Sequence, residues 1–140
     1  MPANKDLSKI NEINQRLEAL FPGLMGVRVT ELDPDRVVAE MVVRPDLCSA
    51  GGILHGGATM AFADTIGAVA TFINLPPGTP TVTVESKTNF IGAAPLGSLV
   101  SAECTPFHRG KSTMVWQTVL RNATGKTLAV VSQTQLVLPV

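Results

Sequence analysis

Residues 56–73, GGATMAFADTIGAVATFI, form the most apolar run of the chain, and a single carboxylate, Asp64, stands in its middle. The run shows no alternation of period two, and alanine or glycine occupies positions 56–58, 61, 63, 67, 68 and 70. That pattern predicts a helix packed closely on most of its sides. Pro76-Pro77-Gly78 breaks the chain soon after it. A bilayer is a poor home for such a helix, because a charge at the membrane centre costs about 2.5–3.5 kcal/mol. The expectation is a core helix covered by the remaining elements, with no membrane partner.

Those elements read as follows. Ile10, Ile13, Leu17 and Leu20 recur near helical spacing, which predicts an amphipathic helix over about residues 6–20, closed by Pro22-Gly23. GVRVTEL and RVVAEMVVR flank Asp33-Pro34-Asp35 and read as a hairpin. After the apolar helix come four runs of strand character: TVTVESKTNF, SLVSAECTPF, STMVWQTVL and TLAVVSQTQLVL. Turn signals separate them at 94–97, at Arg109-Gly110 and at 122–125. Val82, Val84 and Ser86 alternate with polar neighbours, as in a half-buried strand, and short links predict a four-strand antiparallel meander. An antiparallel sheet wrapped around one apolar helix follows, an α+β fold.

A chain of 140 residues is expected to be one domain, 1–140, with residues 1–25 as an N-terminal helix and lead-in. Eleven basic and eleven acidic residues cancel, which removes the electrostatic case for nucleic acid. With 45% hydrophobic and only 16% charged residues, part of the surface is expected to be covered by another subunit. Cys48 and Cys104 form no CxxC pair, and the first twenty residues hold no apolar signal segment. Reduced thiols and a cytoplasmic location are the expectation.

Asp64 has Met60, Ala61, Gly67 and Ala68 as helical neighbours, so no charge on its own helix pairs with it. Two readings stand: an aspartate satisfied structurally, or a general base or nucleophile beside a cavity or a second helix. His55-Gly56-Gly57 opens the same helix. Glycines there let a ligand reach the free N–H groups, which is what an oxyanion site requires; a sharp turn capped by His55 is the alternative. Eight residues of helix place Gly56 about 12 Å from Asp64. One carbonyl cannot touch both on one chain. If both act on one substrate, they come from two copies whose helices run antiparallel, and the small residues near Asp64 suit that approach.

LHGG followed by ADTIGAVAT resembles the hotdog-fold acyl-CoA thioesterases of the phenylacetate-degradation and 4-hydroxybenzoyl-CoA thioesterase group. Asp64 stands nine positions after His55, as the acidic residue does in that pattern, and the element order agrees over nearly the whole chain. The resemblance implies a hotdog fold and hydrolysis of an acyl-CoA thioester to free acid and CoA in a dimer or dimer of dimers, a homotetramer. It gives Asp64 the role of nucleophile or base, Gly56 that of oxyanion donor, and His55 a place lining the site. Thr83 supplies the hydroxyl on the strand after the helix. Ser49 stands where the family has Asn or Gln six residues before the His, and Ala68 where the 4-hydroxybenzoyl-CoA type has Thr.

For the CoA phosphates, HRGKS concentrates Arg109, Lys111 and Ser112 at a hairpin tip, where similar proteins often make CoA contacts; an ordinary solvated turn is the alternative. Phe62, Ile66 and Phe90 are candidates for the acyl pocket or for core. Two other functions stay open: a non-catalytic acyl-CoA binding module, favoured by Ser49, and a hydratase, whose usual Asp upstream of the His is not matched by Asp46. His55 and His108 lack ligand spacing, so no metal is expected, and thioester hydrolysis requires no cofactor beyond the CoA of the substrate.

Overall fold

The computed structural model describes residues 6–139; residues 1–5 of the expected lead-in lie outside them, as does Val140. Helix α1 (Leu7–Glu18) starts where the Asp6 side chain accepts from Lys9 N–H at 3.1 Å. It buries Ile10 and Ile13, and Asn14 fastens it to the sheet. The Asn14 amide donates to Val29 O at 2.9 Å and accepts from Val29 N–H at 2.8 Å. The helix ends earlier than its apolar spacing predicts, and Pro22 does not close it. Proline lacks only an N–H that a first helical turn leaves unused, so Pro22 instead opens a short second helix, α2 (Phe21–Met25). Gly26 terminates α2 at φ +80°, a left-handed conformation that glycine adopts without strain.

Strands β1 (Arg28–Asp33) and β2 (Arg36–Val42) form the expected hairpin, closed by Asp35 N–H donating to Asp33 Oδ1 at 2.9 Å. The chain then turns through Pro45–Leu47 into α3 (Gly56–Ile73), followed by β3 (Thr81–Phe90), β4 (Leu99–Arg109), β5 (Thr113–Arg121) and β6 (Thr127–Val137). All strand pairs are antiparallel, in the order β1-β2-β4-β5-β6-β3. Strands β4, β5 and β6 are the expected meander, but β3 is not its first member. It pairs with β6 at the far edge, while β2 takes the place beside β4. Residues 91–98 therefore cross over rather than close a hairpin. The sheet curls around α3 so that both of its edge regions reach the helix. This is the hotdog arrangement that the resemblance implies.

The core lies between α3 and the inward face of the sheet. Phe62, Ala63, Ile66 and Ala70 of α3 pack with Val37, Ala39 and Met41 of β2 and Trp116 and Leu120 of β5, all at 0–1% exposure. Full burial of the larger of these aliphatic and phenyl side chains, such as Phe62, Ile66 and Val37, contributes about 1.5–3 kcal/mol each. Strand β5 alternates cleanly, with Met114, Trp116, Thr118 and Leu120 inward. Burial pushes the Cys104 thiol up to about 11, and both cysteines are free.

Helix α3 has the length and mean hydropathy, 1.3 over 18 residues, of a membrane span, and this protein uses that apolarity as its core. Strand β3 departs from the half-buried pattern expected of it: Val82 is 43% and Val84 55% exposed. Its outer side has no neighbouring strand among the described residues, and the apolar side chains of Val82 and Val84 are exposed there.

A polar bond joins α3 to β5 inside the core. Trp116 Nε1 donates at 2.8 Å to Thr71 Oγ1, which itself donates to Gly67 O. Thr71→Val keeps the shape but orphans a buried indole N–H, so the protein should lose about 1–3 kcal/mol of stability. Urea denaturation followed by the fluorescence of the one tryptophan measures this.

Candidate functional site

Helix α3 presents an outward stripe that includes Met60, Ala61, Asp64, Thr65 and Ala68, none of them buried, and turns its other sides to the sheet. Asp64 sits at the margin between the two, half-buried, with its carboxylate aimed at the far edge of the sheet. Thr83 Oγ1 donates to Asp64 Oδ1 at 2.7 Å. Gln133 Nε2 donates to the same oxygen at 2.5 Å and to the Asp64 carbonyl at 3.2 Å. Behind them Gln135 Nε2 donates to Thr83 Oγ1 at 2.6 Å, which leaves the threonine proton for the carboxylate. Hydrogen bonds to a charged acceptor are worth about 1.5–3 kcal/mol each, so Oδ1 is firmly held. Asp64 Oδ2 receives no hydrogen bond from the described residues, and Asp64 forms no ion pair among them. One oxygen fixed and one free is the state in which a carboxylate can accept a proton or attack carbon.

The strand register brings these groups together. Thr83 pairs with Gln135 across β3 and β6, and Gln133 faces Trp116 across β6 and β5. Gln133 and Gln135 are both 1% exposed, two residues apart on the inward face that also carries Val131. Neither was among the sequence candidates. The available signal was two amides at positions where a strand facing an apolar core ordinarily places aliphatic residues.

The small residues around Asp64 divide between two tasks. Ala61 and Ala68 are half-buried on the outward side, as a close neighbour would need. Gly67 is buried and turned to the protein's own sheet. A Cβ there would stand 1.5 Å from Gln133 Oε1. Its smallness serves the glutamine, where the sequence suggested a second helix. Beside the Asp64 carboxylate a cleft of about 490 Å³ opens between α3 and the N-terminal helices, lined by Thr65, Ala68, Phe72, Thr81, Leu17 and Phe21.

The other candidate residues gather at the N-terminus of α3. His55 is the N-cap: its Nδ1 accepts from Gly57 N–H at 2.8 Å, while its carbonyl accepts from Ala58 and Thr59 N–H. Gly56 N–H is the one first-turn donor without an acceptor among the described residues. It borders a cavity of about 390 Å³ shared with Ser49, Thr59, Phe90, Leu120 and Leu128. Phe90 lies so close that a Cβ on residue 56 would meet its ring at 3.2 Å. Phe62 and Ile66 are fully buried core, so Phe90 is the cavity-lining residue of the three aromatic or aliphatic candidates. Ser49 faces this cavity, its hydroxyl donating to Ile53 O at 3.3 Å. His55 opens instead onto a separate recess of about 380 Å³ bounded by Cys48, Leu24 and Ala58.

Within one chain, then, Asp64 and Thr83 form one group, Gly56 and Ser49 another, about 12 Å apart along the helix. Arg109 belongs to neither. Its guanidinium pairs with Asp35 at 2.7 Å and donates to Pro34 O at 3.1 Å and Asn74 Oδ1 at 3.3 Å, at the C-terminal end of α3. Lys111 and Ser112 are exposed at the adjoining tip between β4 and β5. Among the described residues no three of His, Cys, Asp and Glu converge as a metal ligand set.

Residues 51–129, which include all of α3 and the β4–β5 hairpin, match the model of the family described as the thioesterase superfamily. A proofreading thioesterase of Cronobacter turicensis is 30% identical over 102 residues, 73% of this chain and 74% of its own. Among solved structures, a thioesterase of Haemophilus influenzae superposes with a TM-score of 0.87 at 28% identity, over 92% of this chain and 90% of its own. A protein of Streptococcus mutans, bound to acetyl-CoA, has the same fold, with a TM-score of 0.75 at 20% identity over 80% of this chain and 88% of its own.

Proposed function

This chain belongs to the thioesterase superfamily, whose reaction is hydrolysis of thioesters, and we propose that its substrate is an acyl-CoA, cleaved at a site shared by two copies. The observation that carries this reading is the pair of complementary half-sites: a carboxylate with one free oxygen, and a free N–H at a helix N-terminus about 12 Å away. Two α3 helices laid antiparallel along their outward stripes bring Asp64 of one copy opposite Gly56 of the other. Both edges needed for such pairing are open: the Met60–Ala61–Ala68 stripe and the outer side of β3.

In that arrangement Gly56 N–H donates to the thioester carbonyl oxygen, and the helix N-terminus favours the negative charge that grows there. Asp64 Oδ2 takes a proton from water as the water oxygen attacks the carbonyl carbon. The C–S bond then breaks, and the proton passes to the departing CoA sulfur. Alternatively Oδ2 attacks carbon directly, CoA leaves as the thiol after protonation, and water cleaves the resulting anhydride. Label found in Asp64 after single turnover in ¹⁸O-water identifies the second route with water opening the anhydride at the Asp64 carbon, and trapping of the anhydride by hydroxylamine detects that route whichever carbon water attacks. Ser49 and His55 flank the oxyanion donor, and Thr83 steadies the carboxylate. Lys111 and Ser112, with Arg109 anchored on Asp35, offer donors to the CoA phosphates. The acetyl-CoA held by the Streptococcus mutans protein of this fold supports a CoA ester as substrate.

Asp64→Asn and Asp64→Ala should leave the fold intact and abolish thiol release from acyl-CoA esters; unchanged turnover in either would refute the mechanism, and binding without turnover in the unaltered protein would favour a binding module. Gly56→Pro removes the N–H at a first helical position that accommodates proline, after a His55 whose backbone is already extended. Its Cβ also presses on the Phe90 ring, a contact that Gly56→Ala adds while keeping the N–H and so controls for. Gly56→Pro should lower kcat by about 10²–10³-fold. Denaturing and refolding Asp64→Asn with Gly56→Pro chains together should restore about a quarter of normal activity, because half the dimers are mixed and each has one intact site. No recovery would mean that each chain carries its own site.

A further inference from the structure

Gln133 carries a feature that the reaction above leaves unexplained. Its side chain is 1% exposed, and its carbonyl oxygen, Oε1, is buried without a hydrogen-bond partner. Turning the amide over would not repair this. It would set Oε1 against the Asp64 carboxylate oxygen at 2.5 Å, two acceptors in contact, so the network fixes Nε2 on Asp64. Orphaned buried acceptors are uncommon, and this one is tolerated beside the single residue of α3 that leaves space for it. Gly67 lies one turn from Asp64, and any Cβ there would overlap Oε1 at 1.5 Å.

Resting on the assignment of Asp64 as the reacting group, we propose that Gln133, seated against Gly67, is a positioning residue that selects Oδ2 of Asp64 as the oxygen that reacts. The Nε2 group reaches both Oδ1 and the backbone carbonyl of Asp64, at 2.5 and 3.2 Å, and so ties the carboxylate to its own main chain. Thr83, oriented by Gln135, supplies the second donor to Oδ1. With Oδ1 occupied from the sheet side, the lone pairs that take the water proton, or that bond to the acyl carbon, are those of Oδ2. Rotation of the carboxylate would exchange the two oxygens, and Gln133 opposes it. Gln133 itself is 1% exposed and does not line the cleft beside Asp64.

Gln133→Met fills the same space without an N–H and tests this directly. Misplacing a reacting group by about 1 Å costs on the order of 10²-fold in rate, so kcat should fall by that order while KM stays within about twofold. Gly67→Ala, which leaves every hydrogen-bonding group in the chain but displaces Oε1, should produce the same kcat loss at unchanged KM. In a Gln133→Ala background the added methyl at residue 67 has nothing to displace. The double variant should therefore match Gln133→Ala alone, a non-additive cycle. Thermal melting of each variant keeps loss of fold apart from loss of rate. An unchanged kcat in folded Gln133→Met, a rise in KM alone, or independent multiplication of the two losses would overturn the proposal. If Asp64→Asn itself retained activity, the reading of Asp64 would fall. If Asp64→Asn were dead and Gln133→Met fully active, only the role of Gln133 would fall.

Discussion

An isolated helix with the composition of α3 has no stable place in water, and five of the six strands of this protein are arranged to pack against it. A flat sheet covers one side. This sheet curls, and its twist lets β2, β4, β5 and β6 each contribute inward residues to the same helix. The Trp116–Thr71 bond fixes the axial position of α3 on the sheet, because an indole N–H buried at the centre must find its acceptor. That single register then decides which α3 residue faces β3 and β6, and therefore where Asp64 meets its donors.

The site follows from a conflict within this packing. Asp64 lies at the boundary of the buried face, where a carboxylate loses water on one side only. The sheet replaces that water with Thr83 and Gln133, and Oδ2 on the open side receives no hydrogen bond from the described residues. Gly56, two turns earlier, keeps a free N–H because His55 satisfies the neighbouring first-turn donors and leaves that one. Both groups are held by the same rigid helix, so their separation does not vary. Precision of this kind is what an element buried in a core provides and a loop does not.

Much of this was legible in the sequence because it is local. The 56–73 helix, the hairpin around Pro34 and the alternation in β5 depend on periodicity and turn residues, and HGG with Asp64 in a small-residue helix pointed to the family. What depended on distant pairing was not legible. The short 91–98 link suggested that β3 neighbours β4, yet the curl of the sheet sends β3 to β6, more than thirty residues later. Gln133 and Gln135 were hidden for the same reason, since their worth lies in the carboxylate opposite. Gly67 was misread because small size has two uses, and only the position of Gln133 tells them apart. Pro22 reads as a stop in the sequence and is a start in the structure, since proline serves both ends of a helix boundary.

The pairing of β3 with β6 has a consequence for how the protein comes into being. During synthesis α3 and β3 emerge long before residues 127–137, and until those residues arrive β3 has no strand to pair with. A nascent chain thus holds an apolar helix with one flank unclosed. Gln133, whose amide grips Asp64, and Gln135, whose amide holds Thr83, arrive on that same closing strand. Completion of the fold and anchoring of the carboxylate are one event, and a chain interrupted before β6 would possess Asp64 without the Gln133 amide that holds it.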